Sequence, residues 1–274
     1  MESGPVMALD AILSLPLLNE VELSTSLLSL ATLNILARLP YLESFSILAE
    51  VEMDDEEVYN LDVMSLSNAF PSLTTFSSET ISFHFIVSFL EAYKPLKLHT
   101  LNVVSTTTET YETYRALFDA VVFAAPDIDD IHTESQKWND NNAVEDSSLF
   151  PFFPTTRLCL WNITSLQLIR PPPLKLDVGS MRTLLTNLPF LVTLELDERT
   201  GPPILPLSAL SELAPLCPVM KSLTLYLDTK ELLMPTPPNW TFRCLEFMGV
   251  GISPLQSSAQ NVATFLSAVL PLTC

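Results

Sequence analysis

With 274 residues, 48% of them hydrophobic and only 16% charged, the chain can bury a large core. Its 32 acids against 13 bases give a net charge of −19. That argues against nucleic acid and anionic membrane surfaces as partners, because both are held by basic residues. The excess lies in the first half: residues 1–137 carry 21 acids and 5 bases, and residues 138–274 carry 11 and 8.

One apolar phrase recurs along the chain: an anchor, two free positions, an apolar residue, one free position, and usually another apolar residue. Residues Ala8 to Leu15 read as a helix belonging to a preceding unit, and the first phrase follows as Leu18/Val21/Leu23. The second starts at Leu42. After it the acidic stretch Glu50 to Glu57 reads as a loop expansion before the third phrase at Leu73. Helical spacing i, i+3, i+4, i+7 then appears at Ile86/Phe89/Leu90/Tyr93. The fourth phrase starts at Leu98, and Thr106 with Glu109 forms a capping-box pattern ahead of a helix through Tyr114/Leu117/Phe118/Val121.

The fifth phrase starts at Ile128 and is followed by a second expansion, Gln136 to Thr156. The sixth, at Ile163, leads through Pro171-Pro172-Pro173 to a helix at Met181/Leu184/Leu185/Leu188. The seventh, eighth and ninth start at Leu191, Met220 and Phe242, with stiff proline connectors at Pro202-Pro203 and Pro235 to Pro238. A last helix, Val262/Phe265/Leu266/Val269, follows a Ser257/Gln260 capping pattern, and Leu270 to Cys274 resembles the opening of a tenth phrase.

Successive anchors lie 24, 31, 25, 30, 35, 28, 29 and 22 residues apart, and a proline stands two or three residues ahead of seven of them. The residue before a proline is pushed out of helical geometry, so each helix stops just before the next strand. A period of 20 to 30 residues with this phrase is the mark of a leucine-rich-repeat solenoid. The expectation is an α/β horseshoe of about nine irregular repeats, with a parallel concave sheet and convex helices. It forms a single domain over residues 1–274, uncapped or truncated at both ends.

Alternation along each phrase turns the positions two, four and six after the anchor toward the concave side. Over nine phrases these 27 positions hold eight carboxylates and no lysine or arginine, where the chain average gives about three acids and one base. The predicted partner-binding residues are Glu20, Glu22, Glu79, Asp130, His132, Glu134, Glu195, Asp197, Tyr226 and Glu246. The acids fall only on odd-numbered strands. Two readings stand side by side: a solvated face of an acidic protein, and a graded acidic trough for a basic partner segment.

No enzyme chemistry is visible. The three histidines, His84, His99 and His132, form no H-E-x-x-H and no Cys/His cluster, so no metal site is expected. Gly249-Val250-Gly251 lacks the third glycine of a dinucleotide fingerprint, and neither a phosphate loop nor a G-x-S-x-G elbow occurs, so no cofactor is expected. Asp127, Asp129 and Asp130 are split by strand alternation. Cys159, Cys217, Cys244 and Cys274 lack paired spacing and read as reduced thiols. With no basic leader ahead of Pro16, the expected location is intracellular, cytoplasmic or nuclear.

The phrase and its mean period of 28 look like the ribonuclease-inhibitor-like class of leucine-rich repeats. The run-ins Leu39-Pro40-Tyr41-Leu42 and Leu188-Pro189-Phe190-Leu191, the uneven spacing and the acidity resemble the repeat half of fungal F-box proteins. No asparagine ladder follows the strands, and no F-box precedes them. The resemblance implies a non-enzymatic protein-interaction module, the substrate-recognition repeats of an F-box-type ubiquitin-ligase receptor. A ligase adaptor is then a partner only if an F-box lies outside this chain. The alternative is a free-standing scaffold or inhibitor with no ubiquitin link.

Overall fold

The structure, a computed structural model, describes residues 15, 17–48, 68–138, 162–169, 177–197, 205–230, 241–250, 253 and 257–270. The acidic stretch 50–57, most of the 136–156 expansion, the three proline clusters, Cys159, Cys274 and all but Leu15 of the helix expected over Ala8 to Leu15 lie outside the described residues. The fold is α/β, with nine strands among those residues taken in chain order and parallel pairing within each unit. Two compact units are formed, residues 1–128 with 135–139, and residues 129–134 with 140–274.

In the first unit β1 (Glu20–Ser24), β2 (Ser44–Leu48), β3 (Thr75–Glu79) and β4 (Thr100–Glu109) pair in sequence. The second holds the start of β5 (Asp130–Trp138), then β6 (Ser165–Ile169), β7 (Thr193–Asp197), β8 (Ser222–Leu225) and β9 (Phe247–Gly249). One backbone signature marks seven junctions between successive phrases. The carbonyl of the residue after an anchor accepts two N–H groups from the next repeat. Asn19 O takes those of Glu43 and Ser44, at 2.8 and 3.0 Å, and Val192 O those of Lys221 and Ser222, at 2.8 and 3.0 Å.

This signature corrects the ninth phrase. Lys221 O accepts from Glu246 and Phe247, at 2.8 and 2.9 Å, so the ninth anchor is Leu245 rather than Phe242. Ser222 then lies opposite Phe247 and Thr224 opposite Gly249. Two phrases overlap here, Phe242/Leu245/Phe247 and Leu245/Met248/Val250, and the backbone takes the second. A register shift by an odd number of residues exchanges the two faces of a strand, and the three-residue slip does so here.

The prolines explain why strands begin where they do. In Phe70-Pro71-Ser72-Leu73, Ala125-Pro126-Asp127-Ile128 and Cys217-Pro218-Val219-Met220 the anchor N–H reaches back three residues, at 3.2–3.3 Å. Each is a β-turn with proline at its second position, where a fixed φ is already correct. The side chain at the third position is left outside, which accounts for exposed Phe190, Tyr41 and Val219.

Six α-helices occur among the described residues: α1 (Leu30–Leu36), α2 (Phe83–Tyr93), α3 (Tyr111–Ala124), α4 (Val178–Asn187), α5 (Leu210–Leu213) and α6 (Ala259–Val269). The four periodic segments fall on α2, α3, α4 and α6. Both capping assignments move. Helix α3 starts four residues late, with Thr110 and Thr113 bonded reciprocally, because Thr106 to Glu109 continue β4. For α6 the cap is Ser258, which accepts from Asn261 N, while the Ser257 hydroxyl bonds Thr229 O.

The first unit packs its strands against α2 with rings. Phe89 lies 4.7 Å from Phe76, 5.2 Å from Tyr93 and 5.3 Å from Phe70, between centroids. Burial pushes the Tyr93 phenol up to about 12, and its hydroxyl meets Asn34 Oδ1 at 3.1 Å. Beside this core sits a buried carboxylate. Glu109 Oε1 accepts from Phe83 N at 2.8 Å, Ser105 Oγ at 2.6 Å and Thr107 Oγ1 at 2.9 Å. It closes the start of α2 from 26 residues downstream.

The second unit packs mainly with aliphatic side chains, with the buried rings of Phe242 and Phe265 beside them. Leu166, Leu168, Leu184, Leu185, Leu194, Leu196, Leu210, Leu223 and Leu225 are all buried. Asp177 caps α4, accepting from Ser180 N at 2.6 Å. Cys217 and Cys244 are free thiols, Cys217 buried with its pKa pushed up to about 12 by desolvation and Cys244 exposed. No described helix is long and apolar enough to cross a membrane.

Candidate interaction surface

Period-two alternation sets the geometry of the open strand face in each unit. In the first, register rows run Glu20–Ser44–Thr75–Thr100 and Glu22–Ser46–Ser77–Asn102, and Glu79 lies opposite Val104. Glu20, Glu22 and Glu79 are exposed, while the intervening Val21, Leu23, Phe45 and Phe76 are buried. The small hydroxyls pair across strands, with Ser46 Oγ 2.7 Å from Ser77 Oγ.

In the second unit the rows are Asp130–Ser165–Thr193–Ser222–Phe247, His132–Gln167–Glu195–Thr224–Gly249 and Glu134–Ile169–Asp197. Asp130, His132, Glu134 and Glu195 are half-buried, and Ile131, Leu166 and Leu194 between them are fully buried. Gln167 is held from both sides: its Oε1 meets His132 Nδ1 and its Nε2 donates to Ser165 Oγ, each at 3.3 Å. Asp130 Oδ1 is covered and has no hydrogen-bond partner among the described residues. Asp197 takes its expected place in β7, though its side chain lies outside the described residues. Tyr226 follows β8 directly and is half-buried.

Glu246 is the residue the structure moves. It precedes β9, and its carboxylate meets Lys221 Nζ at 3.4 Å in an exposed ion pair. The face of the ninth strand instead presents Phe247, 59% exposed, and Gly249. Sequence reasoning missed both. The signal for them was the second, overlapping phrase at Leu245/Met248/Val250.

Within each unit the acids skip strands. The first carries them on β1 and β3, and the second on β5 and β7, with none at the face positions of β2, β4, β6, β8 or β9. Strands two apart are about 9.6 Å from each other, near the Debye length of about 8 Å at physiological salt. Carboxylates in direct cross-strand contact would repel by about 1 kcal/mol in water. The spacing lets acidity accumulate without that cost. Chemically, each face offers carboxylate and hydroxyl acceptors to cationic or hydroxyl-bearing groups. The chain matches no protein-family model and no curated protein.

Proposed function

We propose that this chain is a non-enzymatic, leucine-rich-repeat protein-interaction module whose open strand face binds a basic segment of a partner. The observation that carries this reading is the face itself, with its carboxylates and small hydroxyls and no lysine or arginine in the register rows that form it. Supporting it is the junction signature, which recurs at seven junctions between successive phrases, as a stacked repeat coil would have it. Within that reading, the substrate-recognition repeats of an F-box-type ubiquitin-ligase receptor are the leading role, resting on the sequence resemblance alone. A free-standing scaffold or inhibitor is the alternative.

The test begins with a partner captured from native extract and purified. Replacing Glu20, Asp130, Glu134, Glu195 and Asp197 together by lysine is expected to abolish its binding. Binding to the unaltered chain should weaken steeply with added salt. Full binding by the five-lysine variant would refute the acidic-face reading. Co-purification of a cullin adaptor with the full-length gene product supports the ligase role, and its absence leaves the scaffold.

A further inference from the structure

The second unit holds a more specific feature on the same face. Strand β8 contributes only Ser222 and Thr224 there, and Gly249 lies beside Thr224 on β9. Gly249 is required by this approach: a Cβ on it would come within 2.7 Å of Thr224 Oγ1. The small residues form a low floor. On one side stands Phe247, exposed although it is a large apolar ring. On the other stands Glu195, opposite Thr224 on β7, with no ion pair among the described residues. The strands bearing the two walls are about 9.6 Å apart, within the span of one long side chain.

The nearby cation is already engaged, since Lys221 pairs with Glu246. An aliphatic ligand would bury the ring but leave the carboxylate without a partner. A group that satisfies both walls must be cationic, planar and long. Arginine fits best: its guanidinium stacks on aromatic faces and takes a carboxylate with paired N–H donors, whereas the lysine ammonium is a compact, strongly hydrated point charge.

We propose that Phe247, Glu195 and the floor of Ser222, Thr224 and Gly249 form a seat for one arginine side chain of a partner protein. The seat rests on the reading of the face as a protein-interaction surface and names the residue it takes. Phe247 supplies the stacking wall, Glu195 the paired acceptor, and the two hydroxyls accept the remaining N–H groups.

The probe is an end-capped tripeptide with a central arginine between serines, titrated into the full chain while backbone amide signals are followed by NMR. Ser222, Thr224 and Gly249 are expected to shift. The citrulline tripeptide, which keeps the shape and loses the charge, should leave them still. Glu195→Gln should weaken binding about tenfold, and Phe247→Ala about three- to fivefold. Phe247 is exposed and Glu195 half-buried on the open face, and an unchanged melting temperature verifies the fold of each variant. Absence of shifts at these amides, equal response to citrulline, or indifference to both substitutions overturns the seat. If the seat fails while the five-lysine variant still loses its protein partner, the general face stands and only the arginine seat falls.

Discussion

The two units solve the same problem with different materials. Both stack parallel strands whose inward residues must be covered by the segment that follows. In the first unit the cover is two full helices, α2 of 11 residues and α3 of 14, and the space beneath is filled by Phe45, Phe70, Phe76, Phe89 and Tyr93. In the second the cover between β7 and β8 shrinks to the four-residue α5 flanked by short 3-10 turns, and leucines fill the smaller gap. At these two places the cover and the side chains beneath it vary together: the long helix lies over rings, and the short turn lies over branched aliphatics. Aromatic rings interlock in few geometries, while leucines repack more readily. The first unit should thus be the less forgiving of the two.

That contrast is broken most directly by truncating one residue on each side. Phe89→Ala removes a ring in contact with several others and is expected to cost about 5 kcal/mol. Leu194→Ala, equally buried, should cost about 3 kcal/mol. Urea unfolding gives the two values, and hydrogen exchange shows where protection is lost. Equal costs, or loss spread evenly over both units after Phe89→Ala, would remove the distinction.

Glu109 sharpens the comparison, since the second unit's described residues contain no fully buried carboxylate. Glu109→Ala strands the Phe83 amide and the hydroxyls of Ser105 and Thr107 in a dry interior, and should cost about 3 kcal/mol. Glu109→Gln keeps one acceptor oxygen and should cost about 1 kcal/mol. Exchange at the Phe83 amide is expected to accelerate in the alanine variant far more than in the glutamine variant. Matching acceleration in both would mean that the charge, not the acceptor, holds the start of α2.

Strands and the buried stripes of helices were legible because their periods, 2 and 3.6, are written in consecutive residues. Phe45, Phe76, Leu166 and Leu194 face inward as their phrases imply. What failed was choice between local patterns of equal merit. Thr106 with Glu109 mimics a helix cap, yet the β-branched run through Thr106, Thr107 and Thr108 prolongs β4. Glu109 then finds its donors at Phe83, 26 residues away, which no local pattern encodes. Phe242 and Leu245 both begin an acceptable phrase, and the pairing with Lys221 selects the second. That single slip removes Glu246 from the face and puts Phe247 on it.

The smallest effect separates the units by acid. In the first, hydroxyls cap the helices, Ser82 on α2 and Thr110 on α3. In the second, a carboxylate caps α4. The backbone N–H of Ser180, then its hydroxyl, hold Asp177 below the usual carboxylate range, against a small opposing effect of burial. A carboxylate whose folded pKa is depressed stabilises the fold fully above its unfolded pKa and ceases to do so as pH falls through the folded one. Acidification past the ordinary aspartate range should therefore speed exchange at Ser180 and Met181 while Phe85 and Thr113 keep their protection. Asp177→Ala should cost about 1 kcal/mol at neutral pH, and Asp177→Asn much less, because asparagine caps nearly as well. The asparagine variant should also lose the acid response, since its side chain carries no proton to gain. An acid response that survives in Asp177→Asn would place the sensitivity elsewhere and leave the two units alike in this respect.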